Sequence, residues 1–96
     1  MDIEKLREEI EYDEGSVNEI YLDHLGLATF GIGHLVTKED PEYGWEVGTP
    51  VDADRCVEAF NTDIETVLSD CKLLYSDFDD LPEEAQRIIA NMMFNM

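Results

Sequence analysis

Cations are scarce in this chain. Of its 96 residues only six are Lys or Arg, against 24 Asp or Glu, a formal net charge of −18 with both histidines neutral. A surface that binds nucleic acid has to be basic, so ordinary nucleic-acid binding is excluded. Adhesion to an anionic membrane or polymer is disfavoured on the same ground. Salt softens that objection, because at about half-molar ionic strength the screening length falls to roughly 4–5 Å. A strongly acidic surface therefore suits a saline setting.

Cysteine and histidine are scarce too, with two of each. Cys56 and Cys71 fall in one predicted helix, 15 residues and so about 22 Å apart. A disulfide needs Cα atoms within roughly 7 Å, so no bridge is expected and a reducing site of synthesis fits. His24 and His34 make no Cys/His metal spacing, and the acidic loop 76–84 lacks the EF-hand pattern. Neither a metal nor a cofactor is expected. No run of about 18 apolar residues exists, so membrane insertion is not expected. The first residues, MDIEKLREEIEYDEG, carry no basic segment followed by an apolar one, so they do not read as a signal peptide. The protein either works in the cytoplasm or is carried out by other means.

What is present suffices for one small globular domain, with 44% hydrophobic residues. Ile3, Leu6 and Ile10 recur at helical spacing and predict a helix over 2–12, stopped at Asp13-Glu14-Gly15. Ile20-Tyr21-Leu22 and Ala28 to Ile32 predict two strands joined by a turn at His24–Gly26, and Trp45–Val47 a third. They make a small antiparallel sheet. Asp52 is placed to cap a long helix whose apolar stripe runs from Cys56 through Phe60, Ile64 and Val67 to Cys71. Pro82 opens a last helix, with Glu83 and Glu84 in its first turn. Ile88, Ile89, Ala90, Met92, Met93, Phe94 and Met96 cover nearly its whole circumference, which predicts burial on all sides. A chain this size has little to surround such a helix. A second copy in a homo-oligomer, or a further lobe of a longer protein, is expected to cover helix 82–96.

The chemistry concentrates in Tyr12 to Thr37, YDEGSVNEIYLDHLGLATFGIGHLVT. Glu14 is followed by Asp23 after nine residues, Thr29 after six more and His34 after another five. Two carboxylates and water can hydrolyse an acetal: one acid protonates the leaving oxygen, and the other carboxylate activates water or attacks the sugar. Glu14, at a helix end, is placed for partial burial. Asp23, in a polar turn, is placed to stay ionised, and Thr29 can hold a water against it. His34 reads as a structural histidine paired with an aspartate. Among so many carboxylates, the spacing of one pair is weak evidence taken alone.

The ordered set DEG, IYLD and ATFGIGHLVTK resembles the lysozymes of T-even phages, glycoside hydrolase family 24. The likeness runs over residues 1–96, is strongest over 12–38, and extends to FNTDIETV and IIANMMFNM. It implies an α+β, lysozyme-like fold: a catalytic lobe over 1–51 with an N-terminal helix and small antiparallel sheet, an inter-lobe helix over 52–75, and over 76–96 the truncated start of an all-helical C-terminal lobe. It implies Glu14 as general acid, Asp23 as second carboxylate and Thr29 as the residue that positions water, with inversion at the anomeric carbon. It pairs His34 with Asp63 and sets Leu35 and Phe94 against the saccharide. The implied substrate is the β-1,4 bond between N-acetylmuramic acid and N-acetylglucosamine in bacterial peptidoglycan. The implied setting is the host cytoplasm until a holin releases the enzyme, or a virion tail, with action at the cell wall. Two departures stand out. The family's remaining C-terminal helices, including an arginine that pairs with the acid, have no counterpart here, and these lysozymes are usually basic. A catalytically silent module that self-associates or serves phage assembly is the alternative.

Overall fold

The computed structural model describes residues 1–94, so Met96 of the predicted apolar helix lies outside the described residues. The elements run α1 (Ile3–Glu14), β1 (Val17–Leu22), β2 (Ala28–Gly31), β3 (His34–Leu35), α2 (Ala53–Leu74), a 3-10 turn (Phe78–Asp80) and α3 (Glu83–Phe94). This is an α+β chain: a helix, a three-stranded antiparallel sheet in the order β1-β2-β3, then two helices. No described helix is long and apolar enough to cross a membrane. The chain divides into two compact units, one from Glu14 to Asn61 and one made of residues 1–13 with Thr62 onward. Helix α2 contributes its first turns to the former and the rest to the latter.

The sheet unit is built on a hairpin. Tyr21 pairs with Thr29 and Leu22 with Ala28, and on the far side Thr29 pairs with Leu35 and Phe30 with His34. Alternation sends neighbours in a strand to opposite faces. Ile20 and Phe30 enter a core with Val51, Cys56 and Ala59. Tyr21, Thr29 and Leu35 therefore form a row on the other face. Each large apolar side chain buried in that core contributes about 1.5–3 kcal/mol.

The third strand is not where β-propensity places it. Trp45 N–H donates to the Glu42 carbonyl at 3.0 Å and Thr49 N–H to the Glu46 carbonyl at 3.1 Å, so residues 42–49 spend their hydrogen bonds on turns. Strand-like pairing begins only beyond Val47: Gly48 N–H reaches the Ile20 carbonyl, Ile20 N–H the Thr49 carbonyl, and Glu19 bridges Pro50. These bonds cover the outer edge of β1, which would otherwise expose unpaired backbone groups. The third strand proper is the two-residue β3.

In the helical unit, Leu6 and Ile10, one turn apart, are buried, as are Ile64, Val67, Cys71, Phe78 and Ala90. Arg87 Nε donates to Glu9 at 2.9 Å, tying α3 to α1. Within this chain α3 is not covered all round, in line with the expectation that so small a chain has little to surround it. Ile88 is 54% and Met92 64% exposed, while polar Gln86 is buried and donates to the carbonyls of Asp79 and Leu81. One face of α3 packs and the other is bare. Both cysteines are buried on α2 and unbridged.

Candidate active site

Asp23 closes the β1–β2 turn on itself. One carboxylate oxygen accepts the N–H of Leu25 at 2.8 Å and of Leu27 at 2.9 Å. Its own N–H donates to the Leu27 carbonyl at 3.0 Å. The donors hold Asp23 below the ordinary carboxylate range: Leu27 N–H weighs most, partial burial opposes it, and Leu25 N–H and His24 add to the lowering. Asp23 therefore stays an anion, as its place in a polar turn predicts.

Thr29 is 4% exposed, and its hydroxyl donates to the same Leu27 carbonyl at 3.0 Å. With its hydrogen committed, Oγ1 is left with its lone pairs as an acceptor. One residue, Leu27, thus holds both: its N–H donates to Asp23 and its carbonyl accepts from Thr29.

Glu14 is the last residue of α1 and half-buried. It lies against the β2–β3 turn: a Cβ built on Gly33 would stand 3.1 Å from Glu14 Oε2. The backbone at Gly33 has φ +67°, a conformation glycine takes without strain. Bare backbone at this point lets the carboxylate approach.

His34 is buried in the sheet, and its Nε2–H donates to Asp40 Oδ2 at 2.8 Å. Asp40 also accepts from Thr37 N–H at 2.8 Å and from Arg55 Nη2 at 3.1 Å. Arg55 binds the Glu42 carboxylate through two bonds, Nε to Oε2 at 2.9 Å and Nη2 to Oε1 at 3.0 Å, and reaches Glu58 at 3.0 Å. Burial pushes Asp40 up, but Thr37 N–H and His34 outweigh it and its carboxyl sits below the usual range. Glu42 is lowered chiefly by the Arg55 guanidinium. The sequence shows Asp40-Pro41 only as a chain break, so this cluster was missed. Nothing local marks Asp40 or Glu42 among the other acids, because they meet Arg55 through the fold.

Leu35 is exposed at the end of the Tyr21–Thr29–Leu35 row. Asp63, partly exposed on α2, and Phe94, half-buried at the end of α3, belong to the helical unit. Tyr21 is a second omission, although its place in IYLD was in view. Its phenol holds its proton beyond the ordinary range, first through burial and then through the charges of Glu14 and Asp23. The chain matches no protein-family model and no curated protein.

Proposed function

We propose that the chain is the acid/base lobe of a lysozyme-type glycoside hydrolase acting on bacterial peptidoglycan, without cofactor or metal. The observation that carries this reading is Leu27, whose N–H and carbonyl hold an ionised carboxylate and a hydroxyl acceptor in the same turn. A water that gives one hydrogen to Asp23 and the other to Thr29 Oγ1 is left with a lone pair aimed at an anomeric carbon. The water oxygen attacks that carbon as the glycosidic C–O bond breaks. Glu14 delivers a proton to the departing oxygen, and Asp23 takes one from the water, so the configuration inverts. The order and spacing of Glu14, Asp23, Thr29 and His34 support the muramidase assignment, as does the helix–hairpin–helix order. Leu35 and Phe94 as saccharide contacts and Asp63 as a partner of His34 complete the proposal on resemblance.

The test is release of reducing ends from purified peptidoglycan, with clearing of outer-membrane-stripped cells in saline buffer as a second readout. Replacing Glu14 by Gln is expected to lower the rate by about 10²-fold or more. Equal clearing by parent and variant would remove Glu14 from the role of acid.

A second reading, a silent module that docks through its helices, is favoured by apolar side chains left in water. Leu73 is 80% and Met92 64% exposed, with Leu74 and Ile88 also bare. Light scattering separates the readings: a stable oligomer that cleaves nothing favours docking, and an active monomer favours the enzyme.

A further inference from the structure

Tyr43, Trp45 and Val47 alternate along one loop of the sheet unit, and all three are left in water. Trp45, the only tryptophan of the chain, is 42% exposed and Tyr43 57%. A single apolar side chain on a surface needs no explanation, but two aromatic rings and a valine on one short loop do. Tryptophan and tyrosine are enriched among the residues that carry binding energy. The backbone under them is fixed. The Glu42 carbonyl accepts Trp45 N–H at 3.0 Å and the Glu46 carbonyl accepts Thr49 N–H at 3.1 Å, so the loop is two successive turns. Gly44, at φ +86°, and Gly48, at φ +89°, hold the third position of each, where a type II turn needs glycine. Tyr43 and Val47 take the corner positions before them.

Both ends of the loop are anchored. At the start, Arg55 holds the buried Glu42 carboxylate through two bonds, at 2.9 and 3.0 Å. At the end, Gly48 N–H donates to the Ile20 carbonyl at 2.7 Å and Val51 N–H to the Asn18 carbonyl at 2.9 Å. The loop is therefore bonded to β1, the strand that runs on through Tyr21 to Asp23. Charge decides what can settle on it. Residues 39–49 include Glu39, Asp40, Glu42 and Glu46 and no Lys or Arg, so an anionic partner meets no counter-ion there. A basic partner is poorly served as well, because Asp40 and Glu42 spend their carboxylates on Arg55. A ring face attracts without net charge. Its quadrupole is negative over the face and draws the weakly positive C–H hydrogens on one side of a pyranose.

We propose that Tyr43 and Trp45 form a stacking platform for the sugar rings of a glycan strand, held along the β1 edge that leads to Asp23. The choice of glycan rests on the hydrolase reading. Stacking supplies affinity that needs no cation, which an acidic protein on an anionic wall polymer requires. The anchored turns present the rings already ordered, so little entropy is lost when a sugar settles on them.

Two measurements test it. Because the chain has one tryptophan, its fluorescence reports on this loop alone. The Glu14→Gln protein, used so that the strands stay whole, is titrated with soluble glycan strands prepared from peptidoglycan. A saturable shift of Trp45 emission to shorter wavelength is expected, and adding Tyr43→Ala should weaken the apparent Kd by about tenfold. An emission that glycan does not move overturns the platform. So does a shift that grows with protein concentration in the absence of glycan, because the rings then cover a second copy of the chain. The second measurement is the kinetics of peptidoglycan cleavage by Trp45→Ala and Trp45→Phe, with melting temperatures checked against the parent. Trp45→Ala should raise KM about tenfold with kcat within about twofold, as loss of uniform binding does, and Trp45→Phe should restore most of the affinity. An unchanged KM in Trp45→Ala overturns the platform while leaving the hydrolase reading intact. If the parent releases no reducing ends, the hydrolase reading fails, and the emission titration alone decides whether the loop binds glycan.

Discussion

The Leu27 carbonyl accepts twice, from Asp23 N–H and from the Thr29 hydroxyl, and that sharing sets what substitutions at Thr29 will do. Valine is nearly isosteric, and without the hydroxyl the Leu27 carbonyl still keeps Asp23 N–H, so no buried acceptor is orphaned. Thr29→Val is expected to cost no more than about 1 kcal/mol in stability, read from urea unfolding. On the hydrolase proposal activity should fall on the order of 10²-fold, because the water would lose one of its two acceptors. Full activity in Thr29→Val would exclude Thr29 from water positioning. Gly33 gives a sharper comparison. An alanine there meets both the strain of φ +67° and the Glu14 carboxylate at 3.1 Å, whereas Gly26, at φ +79°, has nothing within 4 Å of its added Cβ. Each substitution should destabilise by about 1 kcal/mol from strain alone. Only Gly33→Ala should also displace Glu14 and abolish cleavage. Equal activity in the two alanine variants would separate Glu14 from the chemistry.

Between β3 and α2 the chain has no regular structure, and its order comes from charges. Asp40 and Glu42 hold residues 37–42 to Arg55 in the first turn of α2. Glu42 is 3% exposed, so removing its partner strands a buried anion. Arg55→Met is expected to cost about 3 kcal/mol, measured by denaturant unfolding at neutral pH. The pH dependence follows from the lowered carboxyls. A carboxyl with a depressed folded value stabilises above its unfolded value near pH 4 and loses that contribution as pH falls through the folded value. Parent stability should therefore drop steeply below about pH 4, and Arg55→Met should flatten that drop. A parallel acid profile in the two proteins would show that Arg55 is not what lowers Glu42. None of this was legible in the sequence. The helices were, because Leu6/Ile10 and Cys56/Phe60/Ile64/Val67/Cys71 repeat at helical spacing. The β1–β2 hairpin was, because strand-forming residues flank a polar turn. Two residues of β3 are too few to alternate, and the alternating Trp45-Glu46-Val47 imitates a strand while its backbone bonds close turns. The candidate site divides in the same way. Glu14, Asp23 and Thr29 were named from an ordered pattern along the chain and its family resemblance, while Asp40 and Glu42 acquire their partners only through tertiary contact.

Charge is the property that belongs to the whole molecule. Arg7, Arg55, Lys72 and Arg87 already sit on carboxylates of the same chain, so the scarce cations do little to offset the excess of acid elsewhere. Folding at a net charge of −18 gathers like charges. At about 0.01 M salt the screening length is roughly 30 Å, and at about 1 M it is roughly 3 Å. Over that range repulsion between surface carboxylates fades, while the buried Arg55–Glu42 pair is screened far less. The melting temperature should rise with sodium chloride. Relief of even about 1 kcal/mol moves it by roughly 4–8 °C in a domain of this size. A falling melting temperature would mean that surface ion pairs outweigh the repulsion. On the hydrolase proposal the same screening reaches the substrate. An acidic protein approaching an anionic wall polymer is repelled at low salt, so KM for peptidoglycan should fall as salt rises, with kcat little changed. A basic hydrolase on the same polymer would show the opposite slope. Should KM rise with salt here, the wall must be met through a locally cationic surface, and the acidity of the chain would have no part in where it works.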